Sequence, residues 1–437
     1  MSGDEAGDDE TGSDETAGDE AGDEESRGRS FRFDYRPGVL QFGAGSVAAL
    51  GSELGAQGVE RALVVTGRTV GETAAVMDPV RDGLGDRLAG VFAETTPAKR
   101  LSTAYDAVAA MREHDADALV AVGGGSSLDV ATVASVLAAT ERDPAVVADE
   151  FQTTGTVMVP DAALPPVAAV PTTLAGAELS QVAGITATPE NGRVERARGG
   201  GISHPELMPA AVFHDPDLVA TTPRAVLAAS AMNGFDKALE STYARNATPV
   251  TDATATRSLS ILQDALPALG DDPVTPADVE PVLEGILLAQ YGVSRPDGTT
   301  LSLVHAFGHA LTRTYDVQQG AAHGVVAPHA LAALLERTGA GRDLLADAFD
   351  LGDDVDTAGD GGTADRDAAL DAAIVDAVTA IRDALGLPRR LRDVDGPTPE
   401  AFESVAQDVL DDSFMQNAPA GYDPSRADVE RILEAAY

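Results

Sequence analysis

Residues 301–329 read LSLVHAFGHALTRTYDVQQGAAHGVVAPH, and they hold four of the seven histidines in the 437-residue chain. His305 and His309 are four residues apart, and Gln319 and His323 repeat that spacing. On a helix this spacing places two side chains on one face, about one turn apart. The turn-forming residues between the two pairs therefore predict a helix, a short loop and a second helix that direct polar side chains toward one point.

Imidazoles that converge on a cleft can ligate a metal ion, transfer protons or contact a cofactor. For any one histidine taken alone, a hydrogen-bonded interior side chain has about equal weight. Four histidines in one short stretch favour a functional site, and we expect the rest of the chain to be organised around it.

The composition excludes several classes of function. The net charge is −41, and Lys99 and Lys237 are the only lysines, a pattern that indicates adaptation to high salt. Such a surface repels phosphate, so no nucleic-acid partner is expected. Cysteine is absent, which removes disulfides and thiolate chemistry. Because no apolar run reaches roughly 18 residues and the amino terminus lacks a basic segment followed by an apolar one, we expect a cytoplasmic protein with no membrane partner.

Shifts in composition divide the chain into three parts. Residues 1–30 are low-complexity Gly, Ser, Thr, Ala, Asp and Glu, which predicts a disordered acidic tail. Residues 31–218 alternate short apolar runs with helical patterns, which predicts an α/β domain. Residues 219–437 are rich in alanine and leucine and predict a helical domain that carries the catalytic site. Within it, the Gly- and Asp-rich residues 350–367 are expected to form a solvated loop.

Four apolar runs in the first domain predict buried strands. These runs are Ala62–Thr66, Ala118–Val122, Val167–Val170 and Ala211–Phe213. The second run ends in Gly-Gly-Gly-Ser before a helical pattern. Such a turn lets the backbone approach a pyrophosphate and aims the positive end of the helix at it, although three glycines can also form only a tight turn. Thr172 and Thr173 follow the third run, and their hydroxyls could bind phosphate or ribose.

Five motifs, in this order, resemble those of the iron-containing, or group III, alcohol dehydrogenases. They are VAVGGGSSLDVA (120–131), VPTTLAGAE (170–178), VFHDPDL (212–218), MNGFDKALESTYARNATPVTDA (232–253) and VHAFGHALTRTYDVQQGAAHGVVAPHA (304–330). The resemblance extends over nearly all of residues 31–437. Within the family, the PTT-x-AG-x-E form and VFHDPDL are similar to the maleylacetate reductase branch.

The resemblance implies a fold of two parts: an amino-terminal nucleotide-binding domain with a parallel sheet and a carboxy-terminal helical domain, in the dehydroquinate synthase-like architecture. It implies NAD(P)-dependent hydride transfer between an alcohol and an aldehyde, ketone or keto acid, and it allows a homo-oligomer. Two alternatives remain open. One is a nicotinamide-nucleotide-binding protein with a degenerate, non-catalytic centre, and the other is a dehydroquinate synthase-type lyase, whose chemistry depends on a metal site.

Carried onto this sequence, the resemblance implies a set of cofactor-binding residues. These are Gly123, Gly124, Gly125 and Ser126 at the pyrophosphate, Asp129 in the same motif, and Thr172 and Thr173 along the cofactor. The lysine that usually follows the aspartate by three residues is Thr132 here. NAD-preferring members carry an acid at the position of Gly67, so its replacement, with Arg68 beside it, predicts a preference for NADP over NAD.

The family's metal ligands are an aspartate, a histidine four residues later, and two histidines fourteen residues apart. The corresponding residues in this chain are Asn233, Lys237, His305 and Gln319. Only His305 is a good ligand, and an ammonium group repels a divalent ion. We therefore expect no metal at this site.

Lys237 could instead hydrogen-bond a carbonyl oxygen and stabilise the developing alkoxide, as a Lewis-acidic metal would. The alternative is a structural salt bridge from Lys237 to Asp236 or Glu240. His309 falls on the family's nonligating histidine near the nicotinamide, where it could relay protons. The expected catalytic residues are thus Lys237, His305 and His309.

Overall fold

Most of the chain after the acidic amino terminus folds into one unit, Phe33–Tyr437. The computed structural model describes residues 31–191, 194–352 and 363–437. Phe31 and Arg32, at the end of a separate unit, have no regular secondary structure. The tail predicted for residues 1–30 and residues 353–362 of the predicted loop lie outside the described residues.

Ten strands and sixteen α-helices are present in the described part of the chain. The strands are β1 (Val39–Phe42), β2 (Ala62–Gly67), β3 (Leu88–Thr95), β4 (Ala118–Gly123), β5 (Val167–Pro171), β6 (Val182–Ala187), β7 (Arg198–Ser203), β8 (Ala211–His214), β9 (Ser294–Arg295) and β10 (Gly298–Thr299). The helices are α1 (Leu50–Ala56), α2 (Arg68–Glu72), α3 (Ala74–Leu84), α4 (Leu101–Glu113), α5 (Gly125–Ala139), α6 (Pro144–Thr154), α7 (Pro216–Val219), α8 (Arg224–Ser241), α9 (Pro249–Ala265), α10 (Pro276–Gln290), α11 (Leu303–Thr314), α12 (Gln319–Thr338), α13 (Arg342–Ala348), α14 (Thr363–Ala384), α15 (Phe402–Leu410) and α16 (Arg426–Ala436).

Six of the strands form a parallel sheet in the order β1-β8-β5-β4-β2-β3. Successive side chains of a strand point to opposite faces, and in β2 Leu63 and Val65 join one hydrophobic cluster while Ala62 and Val64 join another. Helices therefore cover both faces, as a parallel sheet requires. All four apolar runs predicted as strands are confirmed as β2, β4, β5 and β8.

The sequence did not predict β3 or the antiparallel hairpin of β6 and β7. β3 lies at the edge of the sheet, and of its eight residues only Phe92 and Thr95 are buried, so it lacks the continuous apolar run of a central strand. β7 reads RGGGIS, and glycine is depleted in strands because it has no side chain to pack. Neither segment therefore shows the pattern of a buried strand.

The second half of the chain is helical, as predicted, and its helices share one large hydrophobic cluster. The interruption predicted for residues 350–367 ends earlier than expected, because α14 begins at Thr363. The predicted helix, loop and helix of residues 301–329 are confirmed as α11 and α12, joined by residues 315–318. Among the described residues, no helix is long and apolar enough to cross a membrane.

Candidate active site

The glycine-rich turn connects the carboxyl end of β4 to α5, as the motif predicts. Gly123 has a φ of 134°, which a residue with a side chain rarely adopts. An added Cβ at Gly124 would lie 3.2 Å from the Thr173 methyl group. Gly125 begins the fifteen-residue α5, whose positive end points into the turn. A glycine turn followed by a helix amino terminus is an arrangement that binds phosphate groups, so these residues fit a nucleotide pyrophosphate.

The two threonines of the third motif lie beside this turn. The Thr172 backbone N–H donates to the Gly123 carbonyl at 3.0 Å, and its own carbonyl accepts from the Thr222 hydroxyl at 2.7 Å. Thr172 is buried, whereas Thr173 is half-buried. The structure thus brings the predicted glycines and threonines together, with Thr173 the more accessible hydroxyl.

Asp129 is bound to the first of the two lysines. The Lys99 ammonium donates to Asp129 Oδ2 at 2.7 Å. Burial raises the pKa of Asp129, and the charge and hydrogen bond of Lys99 act against that rise. The family's lysine three residues after this aspartate is Thr132 here, so the partner of Asp129 comes from the segment after β3 instead. The sequence reading noted that Lys99 is rare but assigned it no role.

Gly67 is the last residue of β2, and Arg68 begins α2. An added Cβ at Gly67 would lie 3.3 Å from the Thr95 carbonyl oxygen, so only a small shift would admit a side chain. Arg68 is exposed. Both residues lie at the carboxyl end of the strand next to β4, on the side of the sheet where the glycine-rich turn lies.

Lys237, the other lysine, connects the helical half to the loop after β5. Its ammonium donates to the Gly176 carbonyl and to Gln290 Oε1, both at 2.6 Å, and the residue is only 8% exposed. Burial lowers the pKa of Lys237 to about 8, while the charges of Glu178 and Asp129 act against that fall. The alternative salt bridge to Asp236 or Glu240 is not found, since Lys237 bonds neither carboxylate in the described part of the chain.

His305 lies in the core, and both of its ring nitrogens have partners. Nε2 is 3.2 Å from Asn233 Oδ1, and Nδ1 is 2.6 Å from Glu240 Oε2. Burial, with His323 and Lys237 nearby, holds the pKa of His305 well below its usual range. Burial also raises the pKa of Glu240 to about 7. A neutral ring that donates from Nε2 to the amide oxygen accepts at Nδ1, so a protonated Glu240 fits this geometry.

A second buried pair lies beside His305. His323 Nδ1 is 3.1 Å from Asp236 Oδ2, and the His305 and His323 rings are 4.5 Å apart in an edge-on arrangement. Burial lowers the pKa of His323 to about 3, and burial with Glu240 nearby raises the pKa of Asp236 well above its usual range. This pair is therefore neutral and lies away from solvent.

His309 is the accessible histidine of the group, with 34% of its side chain exposed. Its Nδ1 lies 3.0 Å from Asp412 Oδ2. The Phe414 ring lies against it, with ring centres 4.9 Å apart. Of the three predicted catalytic residues, His309 is thus the accessible one, whereas His305 and Lys237 are buried.

Sequence reasoning missed Glu178 and Asp412. Glu178 Oε1 lies 2.8 Å from His214 Nε2, and both side chains are buried. Burial alone would raise the pKa of Glu178, but the hydrogen bond and charge of His214 outweigh it and lower the pKa. Its place in the VPTTLAGAE motif was a usable signal. Asp412 lies 103 residues from His309 along the chain, and no local pattern marked it.

The glycine-rich turn lies at the carboxyl ends of a parallel sheet, and the helical half of the chain carries a buried lysine and an accessible histidine. Together these features define a nucleotide-dependent enzyme with an α/β part and a helical part. Residues 37–216 match the family model of the iron-containing alcohol dehydrogenases, and residues 227–437 match the model of the C-terminal part of the same family. The chain belongs to the iron-containing alcohol dehydrogenase family. It is an NAD(P)-dependent oxidoreductase that interconverts alcohols and carbonyl compounds.

Several known proteins are similar over most of the chain. Maleylacetate reductase from Sphingobium indicum is 31% identical over 69% of this chain and 74% of that protein. Maleylacetate reductase 1 from Cupriavidus pinatubonensis is 29% identical over 70% of this chain and 75% of that protein. The crystal structure of maleylacetate reductase from Agrobacterium tumefaciens has a TM-score of 0.72 at 22% identity, over 94% of this chain and 98% of that one, and it shows the shared fold.

The family name implies an iron ion, and the residues at the ligand positions can be tested for it. Asn233 is hydrogen-bonded to His305, and Lys237 carries an ammonium bonded to Gly176 and Gln290. Residues 31–191, 194–352 and 363–437 contain no group of three or more His, Asp or Glu side chains placed to hold a metal ion. With Gln319 as the fourth member, this set supplies no carboxylate and one cation, so it does not fit a divalent ion.

Proposed function

We propose that this protein reduces a small carbonyl compound, and oxidises the corresponding alcohol, with Lys237 in place of the metal ion. The observation that carries the proposal is the Lys237 ammonium, which occupies a family ligand position and is bonded to Gly176 and Gln290. An ammonium has three donors, and these two acceptors use two of them. No described residue accepts from the third, and we assign it to a substrate oxygen.

The chemistry assigned to these residues is electrostatic. Bound nicotinamide supplies or accepts the hydride. Lys237 binds the carbonyl oxygen and stabilises the negative charge that develops on it, which a fixed donor in a site shielded from water does effectively. His309, whose side chain is partly exposed, gives the proton that completes the alcohol. His305 keeps Asn233 and Glu240 in place through its two ring nitrogens.

NADP is proposed as the preferred cofactor. An acidic side chain at position 67 would repel a 2′-phosphate, and the chain has Gly67 there instead. The exposed Arg68 that follows adds a positive charge. An arginine suits this task because its planar fork matches the oxygens of a phosphate. The glycine-rich turn serves either cofactor equally.

The proposed substrate is a small aldehyde, ketone or keto acid. Two relatives are maleylacetate reductases, so maleylacetate belongs in the first panel of compounds. The other reading, a nucleotide-binding protein with a degenerate centre, is supported by the loss of three of the four family ligands. Nicotinamide absorbance in high salt separates the two readings, because the degenerate protein would bind the cofactor without turnover.

The decisive experiment removes and rebuilds the charge at position 237. Lys237→Ala is expected to lower kcat about a hundredfold, since loss of one preorganised donor to an oxyanion costs about 3 kcal/mol. Cofactor binding, measured by nicotinamide fluorescence, is expected to change little, because Lys237 bonds Gly176 and Gln290 and none of the glycines or threonines assigned to the cofactor. The wild type is expected to keep its activity in chelator and to contain little iron or zinc by elemental analysis.

The matched control is the triple variant Asn233→Asp, Lys237→His and Gln319→His, which restores all four family ligand types around His305. We expect this variant to bind one divalent ion per chain, because two imidazoles or more with a carboxylate suit zinc and iron. Stoichiometric metal in the wild type, with activity lost on chelation, would refute the proposal. Unchanged turnover in Lys237→Ala would refute the role of the lysine even if the wild type holds no metal.

A further inference from the structure

Asp412 makes a buried carboxylate site against His309. Its side chain is 1% exposed. Oδ2 lies 3.0 Å from His309 Nδ1 and accepts from an Arg313 guanidinium N–H at 2.8 Å, and Oδ1 accepts from the Phe414 backbone N–H at 3.0 Å. Burial would raise the pKa of Asp412, but the hydrogen bonds from His309 and Phe414 outweigh it and lower the pKa. The carboxylate is therefore ionised at neutral pH.

An ionised carboxylate only accepts hydrogen bonds. The hydrogen between Asp412 and His309 must then be on Nδ1 of the ring, which leaves Nε2 as the nitrogen that gains and loses a proton. No group in the described part of the chain hydrogen-bonds Nε2, and the Phe414 ring, 4.9 Å away and tilted by 33°, limits rotation of the imidazole. The orientation of the ring and its tautomer are thus both fixed.

We propose that Asp412 is a positioning residue for proton transfer: it holds His309 with Nδ1 protonated and Nε2 directed to the substrate, and it stabilises the imidazolium by its charge. This inference rests on the proposed function. In reduction, the alkoxide oxygen of the substrate takes the Nε2 proton. The N–H bond breaks, an O–H bond forms, and the electron pair stays on Nε2, which later recovers a proton from water.

Other charged groups surround His309, and the test must separate them from Asp412. Besides His309, α11 carries His305 and Arg313. The titratable groups on the helices packed against it are Arg224, Asp236, Lys237 and Glu240 of α8, His323, His329, Glu336 and Arg337 of α12, and Glu403 and Asp408 of α15, and Asp411 and Asp412 follow α15. Of these, only Asp412 bonds His309 among the described residues. Asp411 is exposed and bonds Gln407 instead, so Asp411→Asn is a control that removes a neighbouring charge without touching the ring.

The first measurement is the tautomer of His309, which is independent of turnover. Full-length protein labelled with ¹⁵N histidine is examined by long-range ¹H–¹⁵N correlation, and the His309→Gln variant identifies the signals. We expect the neutral His309 ring of the wild type to carry its hydrogen on Nδ1, and Asp412→Ala to shift it toward Nε2. A wild-type ring with its hydrogen on Nε2 would overturn the proposal. A wild type that reduces no carbonyl compound overturns the proposed function instead, so the two failures are distinct.

The second measurement is a double-mutant cycle with Asp412→Asn, which keeps an oxygen for the Phe414 N–H and removes the charge. We expect kcat to fall about 10- to 100-fold with KM nearly unchanged. Asp411→Asn should change neither. In a His309→Gln background, Asp412→Asn should cause no further loss, because the two residues act as one unit. An equal loss in both backgrounds would show a merely structural role and overturn the proposal.

Discussion

The charge of Lys237 is expected to limit the pH range in which the enzyme is active. Burial lowers its pKa from 10.5 to about 8, so the ammonium form is present at neutral pH and is lost as the pH rises through about 8. We expect kcat/KM for carbonyl reduction to fall above that pH, tenfold per unit once the amine predominates. A pH profile of the wild type beside Lys237→Gln checks this, since the variant should lack that limb.

Unfolding does not account for such a loss, because the stability effect of Lys237 has the opposite sign. Between about pH 8 and 10.5 the unfolded chain binds this proton and the native protein does not, so the contribution of Lys237 to stability increases with pH in that window. Thermal unfolding measured at the same pH values separates the two effects. A fall in Tm that parallels the fall in activity would contradict the assignment of the limb to Lys237.

Cofactor preference depends on two adjacent residues, Gly67 and Arg68. We expect Gly67→Asp to shift the ratio of kcat/KM for NADPH to that for NADH toward NADH by about 10- to 100-fold, because a carboxylate repels the 2′-phosphate and accepts from the ribose hydroxyl. Arg68→Gln should lower the affinity for NADPH and leave the affinity for NADH unchanged. The added Cβ lies 3.3 Å from the Thr95 carbonyl, so the fold should tolerate it. A ratio that stays constant in both variants would count against this basis for selectivity.

At the scale of elements, the sequence predicts what is periodic or continuous. β2, β4, β5 and β8 were predictable because each is a buried apolar run, and α11 with α12 because histidines repeat at helical spacing. β3 and β7 were not, since one lies at a sheet edge and the other is mostly glycine. The partners of Lys237 could not be predicted from the sequence either. Gly176 and Gln290 lie 61 and 53 residues away along the chain, and only the folded backbone brings them to one ammonium.

The contact between α8 and α12 is a close approach of two backbones. An added Cβ at Gly320 would overlap the Ala229 carbonyl oxygen, which belongs to α8 and cannot move without the helix. We expect Gly320→Ala to lower the free energy of unfolding by about 1–3 kcal/mol, as overpacking does. Denaturant unfolding measures the change. Gly199→Ala is the control, since no atom lies within 4 Å of its added Cβ, and an equal loss in both variants would contradict the explanation.

At the scale of the whole molecule, charge is the dominant property. The chain carries 71 acidic and 30 basic side chains, and like charges repel in the compact state. Salt shortens the screening length from about 10 Å at 0.1 M to about 3 Å at 1 M. We expect Tm to rise steeply with KCl over that range and much less with an uncharged osmolyte such as sucrose. A Tm that does not depend on KCl would contradict the salt adaptation that the composition indicates.

The position of the two lysines makes the protein suited to chemical footprinting. Amine-reactive reagents can modify only the amino terminus, Lys99 and Lys237. Lys99 forms an ion pair with Asp129, and the charge of Asp129 also raises the pKa of Lys237. The Lys99 side chain is 37% exposed, whereas Lys237 is 8% exposed. The number of labels that mass spectrometry finds on the intact protein therefore reports how often the interior around Lys237 opens to solvent, with no background from lysines elsewhere on the surface.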